Sequence, residues 1–185
     1  MDKGDGDSPR RRQAEIVHQR GRNLFNIDQF ERAFACFAKA AAVDPSFLPA
    51  HLGRANCLVV LGRAQQGLAL ADEVVSLQPD YPFAHVTRAI ALAALGRRDE
   101  ALAAYRQAAA HGPEDPLVFF NLACFWGLEG NEDECRETLT RALELRPDAY
   151  TKAIADPAFA AYHHRPWFQN FAAYLRTPST RTAKK

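Results

Sequence analysis

The sequence has no long apolar run. No stretch approaches the roughly 20 consecutive apolar residues that a membrane-spanning helix needs. The first residues read MDKGDGDSPRRRQ, and no apolar stretch follows their basic residues as it does in a secretory leader. We therefore expect no membrane insertion and a cytoplasmic location.

An excess of charge of one sign is also absent. The formal net charge of the 185 residues is +1 at pH 7. A protein whose whole surface binds nucleic acid carries a strong basic excess. The sequence therefore predicts no nucleic-acid partner.

The cysteines form no metal-binding or disulfide pattern. Four are present, at positions 36, 57, 124 and 135, and none belongs to a Cys-x-x-Cys pair. His51 and His85 have no Cys or acidic ligand at suitable spacing beside them, and the adjacent His163 and His164 would point in different directions on a helix. We expect reduced thiols and no bound metal.

Catalytic motifs are missing too. The sequence contains no Gly-rich phosphate loop, no nucleophile elbow and no paired-histidine helix motif. It therefore predicts a protein that is not an enzyme and needs no cofactor. A role as the regulatory subunit of an enzyme complex stays open as an alternative.

What the sequence does contain is a period of 34 residues. Four prolines are spaced by this interval: Pro45, Pro79, Pro113 and Pro147. The same interval separates small residues (Gly21, Ala55, Ala89, Ala123) and large apolar residues (Leu24, Leu58, Leu92, Trp126). A fixed period of this length is typical of repeat architectures, in which each unit packs on its neighbours.

Each period predicts two helices joined by a turn. The turn lies at Gly62, Gly96 or Gly130, and Asp28 stands there in the first unit. Glycine closes a helix at low cost because it adopts the left-handed conformation readily. Proline then ends the second helix, and small residues let the paired helices approach closely.

This order of residues resembles the tetratricopeptide repeat. In the third unit it comprises Ala89, Leu92, Gly96, Ala101, Tyr105, Ala108 and Pro113. The resemblance implies an all-α fold, a right-handed α-α superhelical solenoid of four helix pairs. It also implies a non-catalytic protein-interaction module or scaffold.

The domain organisation follows from the period. We predict repeats over 14–47, 48–81, 82–115 and 116–149, capping helices over 150–176, and disordered tails over 1–13 and 177–185. The capping segment has helix starts at Asp156-Pro157 and Arg165-Pro166 and resembles the closing unit of bacterial proteins of this family. Its apolar residues Trp167, Phe168, Phe171 and Leu175 should cover the flank of the last repeat.

In this family a stripe along the first helix of each repeat lines a concave peptide-binding groove. The resemblance places apolar residues there in repeats two to four and polar residues at the N-terminal end, including His18 and Arg22. The predicted groove residues are Leu52, Asn56, Val59, Val60, Phe83, Val86, Ile90, Leu117, Phe120, Cys124 and Leu128. We expect Val86 and Ile90 to face open space.

The apolar stripe predicts a protein or peptide partner with an apolar or amphipathic segment. Two alternatives stay open, namely that the C-terminal segment fills the groove and that the protein self-associates through it. A dedicated chaperone resembling the class II chaperones of type III secretion is a further possibility.

Arg20, Arg54 and Arg88 also recur at the 34-residue interval. We interpret this column as long side chains that pair with acidic residues of an adjacent helix, rather than as a phosphate or RNA site.

Overall fold

The computed structural model describes residues 8–147 and 149–176, with side chains for all of them except 149, 150 and 172–176. This part of the chain is helical and contains no strand. Its elements are α1 (Pro9–Phe25), α2 (Phe30–Val43), α3 (Leu48–Val60), α4 (Ala64–Leu77), α5 (Pro82–Ala94), α6 (Arg98–His111), α7 (Pro116–Leu128), α8 (Glu132–Leu145), α9 (Ala149–Ala155), a 3-10 helix (Pro157–Tyr162) and α10 (Pro166–Arg176). The predicted tails at 1–7 and 177–185 and the side chain of Leu175 lie outside the described residues.

Helix α1 begins earlier than the repeat pattern predicted. The Ser8 hydroxyl accepts a hydrogen bond from the Arg11 backbone N–H at 3.1 Å, and Pro9 occupies the first turn. Arg11 Nε also lies 2.9 Å from an Asp44 carboxylate oxygen. The prediction of disorder over 1–13 is therefore wrong for residues 9–13, because a capped first turn and a tertiary ion pair hold them in helix.

The turns within the helix pairs have the predicted left-handed conformation. Gly62, Gly96 and Gly130 have φ values of 78°, 73° and 73°, and Asp28 has a φ of 58° in the first pair. In each turn, the residue that follows the left-handed position donates its backbone N–H to the carbonyl of a large apolar residue five positions earlier. In the second pair, for example, Arg63 N–H donates to Leu58 O at 2.8 Å. This bond closes the helix in the manner of a Schellman motif.

The described residues divide into two compact units, one up to residue 111 and one from residue 112. The first unit contains the helix pairs α1/α2, α3/α4 and α5/α6, and the second contains α7/α8 and the C-terminal helices. Small residues lie where helices approach each other, and Ala33, Ala55, Ala89, Ala101 and Ala123 are fully buried. The core of each unit is therefore built on close helix contacts.

Phe37 of α2 is packed between two glycines of neighbouring helices. A Cβ atom on Gly21 or on Gly53 would lie 2.7 Å from a carbon of the Phe37 ring, which is 3% exposed. Any larger residue at either position would have to displace a buried ring. The two glycines thus make room for an aromatic side chain between α1 and α3.

The C-terminal segment keeps the phase of the repeats. The second helices begin at residues 30, 64, 98 and 132, and α10 begins at 166, so the 34-residue interval continues. The segment that precedes α10 is interrupted at Asp156, whose carboxylate caps the 3-10 helix by accepting from the Ala158 N–H at 3.0 Å. Helix starts at Pro157 and Pro166 agree with the sequence prediction.

This segment packs against α7 and α8 within the second unit. Phe159 and Phe168 are 0% and 2% exposed and share a core cluster with Phe120 and Leu139. Trp167 and Phe171 pack against the same cluster while half-buried. Three of the four residues predicted to cover the last helix pair, Trp167, Phe168 and Phe171, therefore do so.

Glu132 at the start of α8 holds the segment by two polar contacts. Its carboxylate accepts a hydrogen bond from Trp167 Nε1 at 2.8 Å and lies 2.7 Å from Arg165 Nη2. Both donors come from the C-terminal segment, so one acidic side chain fixes the loop before α10 and the first turn of α10.

We expect Gly53→Ala to destabilise the protein by about 1–3 kcal/mol, although alanine usually favours a helix over glycine. The cause is the contact with the Phe37 ring, which should be measurable by urea denaturation. In a double-mutant cycle, Phe37→Leu should reduce this loss, since a smaller side chain leaves space for the added methyl group. Purely additive effects would contradict the packing argument.

We expect Glu132→Ala to lower the free energy of unfolding by about 1 kcal/mol, because two partly exposed donors lose their acceptor. Trp167 should then move towards water, and the tryptophan emission should shift to longer wavelength. Asp133→Ala is the matched control, since Asp133 pairs with Arg136 three residues along α8 and is 87% exposed. An equal loss in both variants would show that the contacts of Glu132 do not hold the segment.

Candidate functional site

The predicted groove residues of the first unit lie on α3 and α5, with His18 and Arg22 on α1. They recur at fixed positions of the first helix in each pair, so the same position can be compared between repeats. The groove residues form a buried row and a row that solvent reaches.

The buried row corrects part of the prediction. Leu52 and Val86 are each 4% exposed, and Phe120 at the same position of the second unit is 9% exposed. Leu52 belongs to a core cluster with Val74 and Ala84. The expectation that Val86 faces open space is therefore wrong, because this position is enclosed by packed side chains.

The accessible row of the first unit also consists of apolar side chains. Val60 is 49% exposed, and Val59, Phe83 and Ile90 are half-buried. Val59 also contacts α4, where its Cγ2 lies 2.7 Å from the place that a Cβ of Gly67 would occupy. A row of partly exposed apolar side chains can contact apolar groups of a ligand without rearrangement of the core.

Two polar side chains accompany this row. The Asn56 Oδ1 atom is buried and has no hydrogen-bond partner among the described residues. Arg22 is exposed, and the described part of the chain supplies no hydrogen bond or ion pair to its guanidinium. Arg22 of α1 and Asn56 of α3 occupy the same position of their repeats, so a cation and a hydrogen-bond acceptor remain available at this position of the first helices.

His18 differs from both rows. Its ring packs against Phe37 and Phe47, with centroid separations of 5.1 and 5.2 Å. Burial, with the nearby charge of Arg22 as a second cause, holds the pKa of His18 below 6.5, although a hydrogen bond with the Pro49 backbone acts in the opposite direction. At neutral pH the cationic group at this end is therefore Arg22 and not His18.

In the second unit the C-terminal segment touches two predicted groove residues. The Phe120 and Phe159 rings are 5.7 Å apart, and Cys124 Sγ lies 3.7 Å from an Asp156 carboxylate oxygen. Leu128 is 74% exposed, and Leu117 is half-buried. The protein's own chain thus covers part of this stripe, as one of the alternatives anticipated for the C-terminal segment.

The buried thiols are poor nucleophiles. Burial raises the pKa of Cys57 and of Cys135 to about 12, and burial beside the Asp156 carboxylate raises the pKa of Cys124 further. Because the thiolate is the reactive form, these three side chains stay protonated at neutral pH.

The recurring histidines have structural partners. A ring nitrogen of His51 lies 3.0 Å from the Pro45 carbonyl, and the corresponding nitrogen of His85 lies 2.6 Å from that of Pro79. Each histidine thus ties the start of a first helix to the proline turn before it. Across the described residues, no three or more His, Cys, Asp or Glu side chains are grouped as a metal site.

No described helix is long and apolar enough to cross a membrane.

Stacked helix pairs with turns at a fixed interval define an α-helical solenoid of repeated helix pairs. Family models described as tetratricopeptide repeat match residues 18–82 and 82–123. The chain belongs to the tetratricopeptide repeat family and is a protein-interaction module of that type.

Solved structures show the same fold. TTC0263, a tetratricopeptide repeat protein of Thermus thermophilus, is 18% identical with a TM-score of 0.69, and the match covers 87% of this chain and 89% of that one. The first such domain of human RPAP3 is 20% identical with a TM-score of 0.53, over 71% and 94% of the two chains. The first domain of Spaghetti (RPAP3), solved with an HSP90 peptide, is 20% identical with a TM-score of 0.53, over 76% and 99%. No curated protein sequence matches the chain.

The pKa of His18 generates a prediction about pH dependence. A histidine whose pKa is lowered on folding stabilises the protein above pH 6.5, and this contribution is lost as the pH falls through the lower folded value. His18→Gln should therefore show a smaller loss of stability between pH 7 and pH 5 than the wild type. Urea denaturation at several pH values measures the slope.

Proposed function

We propose that the protein is a non-catalytic interaction module that binds an apolar or amphipathic segment of a partner protein along the first helices of its repeats. The observation that carries the proposal is the accessible row Val59, Val60, Phe83 and Ile90, together with the exposed Arg22 on the first helix of the first repeat. Leu117 and Leu128 are proposed contacts in the second unit, whereas the C-terminal segment already contacts Cys124.

The charge beside the row favours a particular partner. Because Arg22 has no anionic partner in the described chain, an acidic residue flanking the apolar segment would pair with it. Asn56 Oδ1 could accept an N–H of the bound segment, which would satisfy a buried acceptor. Binding of a peptide by the Spaghetti (RPAP3) domain lends support to this use of the fold.

The buried row would act indirectly. Leu52, Val86 and Phe120 fix the spacing of the helices that carry the accessible residues. A charged residue at Val86 would therefore test folding rather than binding. The residues suited to a binding test are those that solvent already reaches.

We expect Val60→Glu combined with Ile90→Glu to weaken peptide binding by about thirtyfold or more, since loss of an interface hot spot costs about 2 kcal/mol. The probe is a fluorescein-labelled peptide selected on the full chain from a displayed library of 16-residue random sequences. Fluorescence anisotropy gives the affinity, and circular dichroism should show unchanged helicity.

Leu77→Glu is the matched control, because Leu77 is 74% exposed on α4, outside the row. It should bind the peptide as the wild type does, and Arg22→Gln should weaken peptides that carry a flanking acid. The proposal fails if the double variant binds normally, if Leu77→Glu weakens binding equally, or if selection yields only basic peptides. Concentration-dependent self-association that the double variant abolishes, with no peptide selected, would identify a second copy as the ligand instead.

A further inference from the structure

Four charged side chains form a neutral network around the third helix pair. Arg88 Nε of α5 lies 2.7 Å from Asp72 Oδ1 of α4, and Arg97 Nη2 lies 2.6 Å from Glu100 Oε2. Asp72 also attracts Arg97, and Glu100 attracts Arg88, so the two ion pairs are electrostatically linked. Each arginine in this network has a carboxylate partner.

The same positions 34 residues earlier retain the cations but lack the acids. Arg54 and Arg63 correspond to Arg88 and Arg97, whereas Ala38 and Gln66 replace the two carboxylates. Arg63 Nη2 donates to Gln66 Oε1 at 2.5 Å, which repeats the geometry of the Arg97 to Glu100 contact without its negative charge. These four positions, which surround the second helix pair, thus hold two guanidinium groups and no carboxylate.

Lys39 increases the excess of positive charge near Arg54 in the repeat pattern. It occupies the position that Glu73 has in the next repeat, so a cation stands where that repeat has an acid. Both positions are exposed.

Arg54 is held in place without an acceptor. Its Nε is buried and has no hydrogen-bond partner among the described residues, and its guanidinium carbon lies 5.8 Å from the Phe34 ring centroid. The aromatic ring restrains the cation, while the unpaired donor carries a desolvation cost. An oxyanion supplied by another molecule would offset that cost.

We propose that Arg54 and Arg63 form a binding site for a carboxylate side chain of an acidic segment on a partner protein. The network around the third helix pair supports a carboxylate, because Asp72 of α4 and Glu100 of α6 fill the corresponding positions. The planar guanidinium group suits paired hydrogen bonds to such a group.

This site is separate from the proposed groove. Arg54 precedes Asn56 by two residues of α3, and at about 100° per residue the two side chains leave the helix roughly 200° apart. Failure of one proposal therefore does not decide the other.

The first experiment measures binding of hexaglutamate to the full chain at low ionic strength by calorimetry. Arg54→Gln with Arg63→Gln should bind about tenfold more weakly, and added salt should weaken the wild type. Arg136→Gln with Arg141→Gln removes the same charge from α8 and should retain affinity. Equal losses in both double variants would overturn the site, as would displacement of hexaglutamate by inorganic phosphate at matched ionic strength.

The second experiment supplies the missing acids within the chain. Ala38→Asp with Gln66→Glu should raise Tm by about 2–4 °C by copying the third-repeat network, and should abolish hexaglutamate binding. Leu77→Glu with Gln78→Glu adds the same charge elsewhere and should do neither. The proposal is overturned if the first double variant melts below the wild type or still binds hexaglutamate with wild-type affinity.

Discussion

Close approach of paired helices is the constraint on which the rest of this structure depends. Ala55 and Ala89 are fully buried, and a Cβ on Gly67 would lie 2.8 Å from the Ala55 carbonyl oxygen. Residues with little or no side chain at these points allow contacts that larger side chains would prevent. Gly21 and Gly53 are constrained in the same way, since a side chain at either position would collide with the ring of Phe37.

This spacing decides which side chains remain available to a partner. Leu52 and Val86 are enclosed once the helices meet, whereas Val60 and Ile90 of the same helices still reach solvent. On α3, Asn56 accompanies the apolar row, and Arg54 leaves the helix on the other side. A single helix thus contributes both to the structural core and to two chemically different surfaces.

The C-terminal segment continues the 34-residue interval of the helix pairs with different residues. Pro157 stands 34 residues after Ala123, a position that is small and helical in the four repeats. Proline there interrupts the first helix, and Asp156 caps the 3-10 helix that follows. Phe159 and Phe168 then fill the flank of α7 and α8, while Glu132 fixes the segment by its contacts with Arg165 and Trp167.

The sequence by itself determined the helix pairs, their 34-residue interval and the left-handed turns, including Asp28 in place of glycine. These features depend on backbone preferences and periodicity within a few residues of each position. The extension of α1 to Pro9, the burial of Val86 and the absence of an acid beside Arg54 were decided only by the tertiary structure. Each of them depends on side chains that are distant in the sequence, such as Asp44 for Arg11 and Phe34 for Arg54, and only packing of the helices brings these residues together.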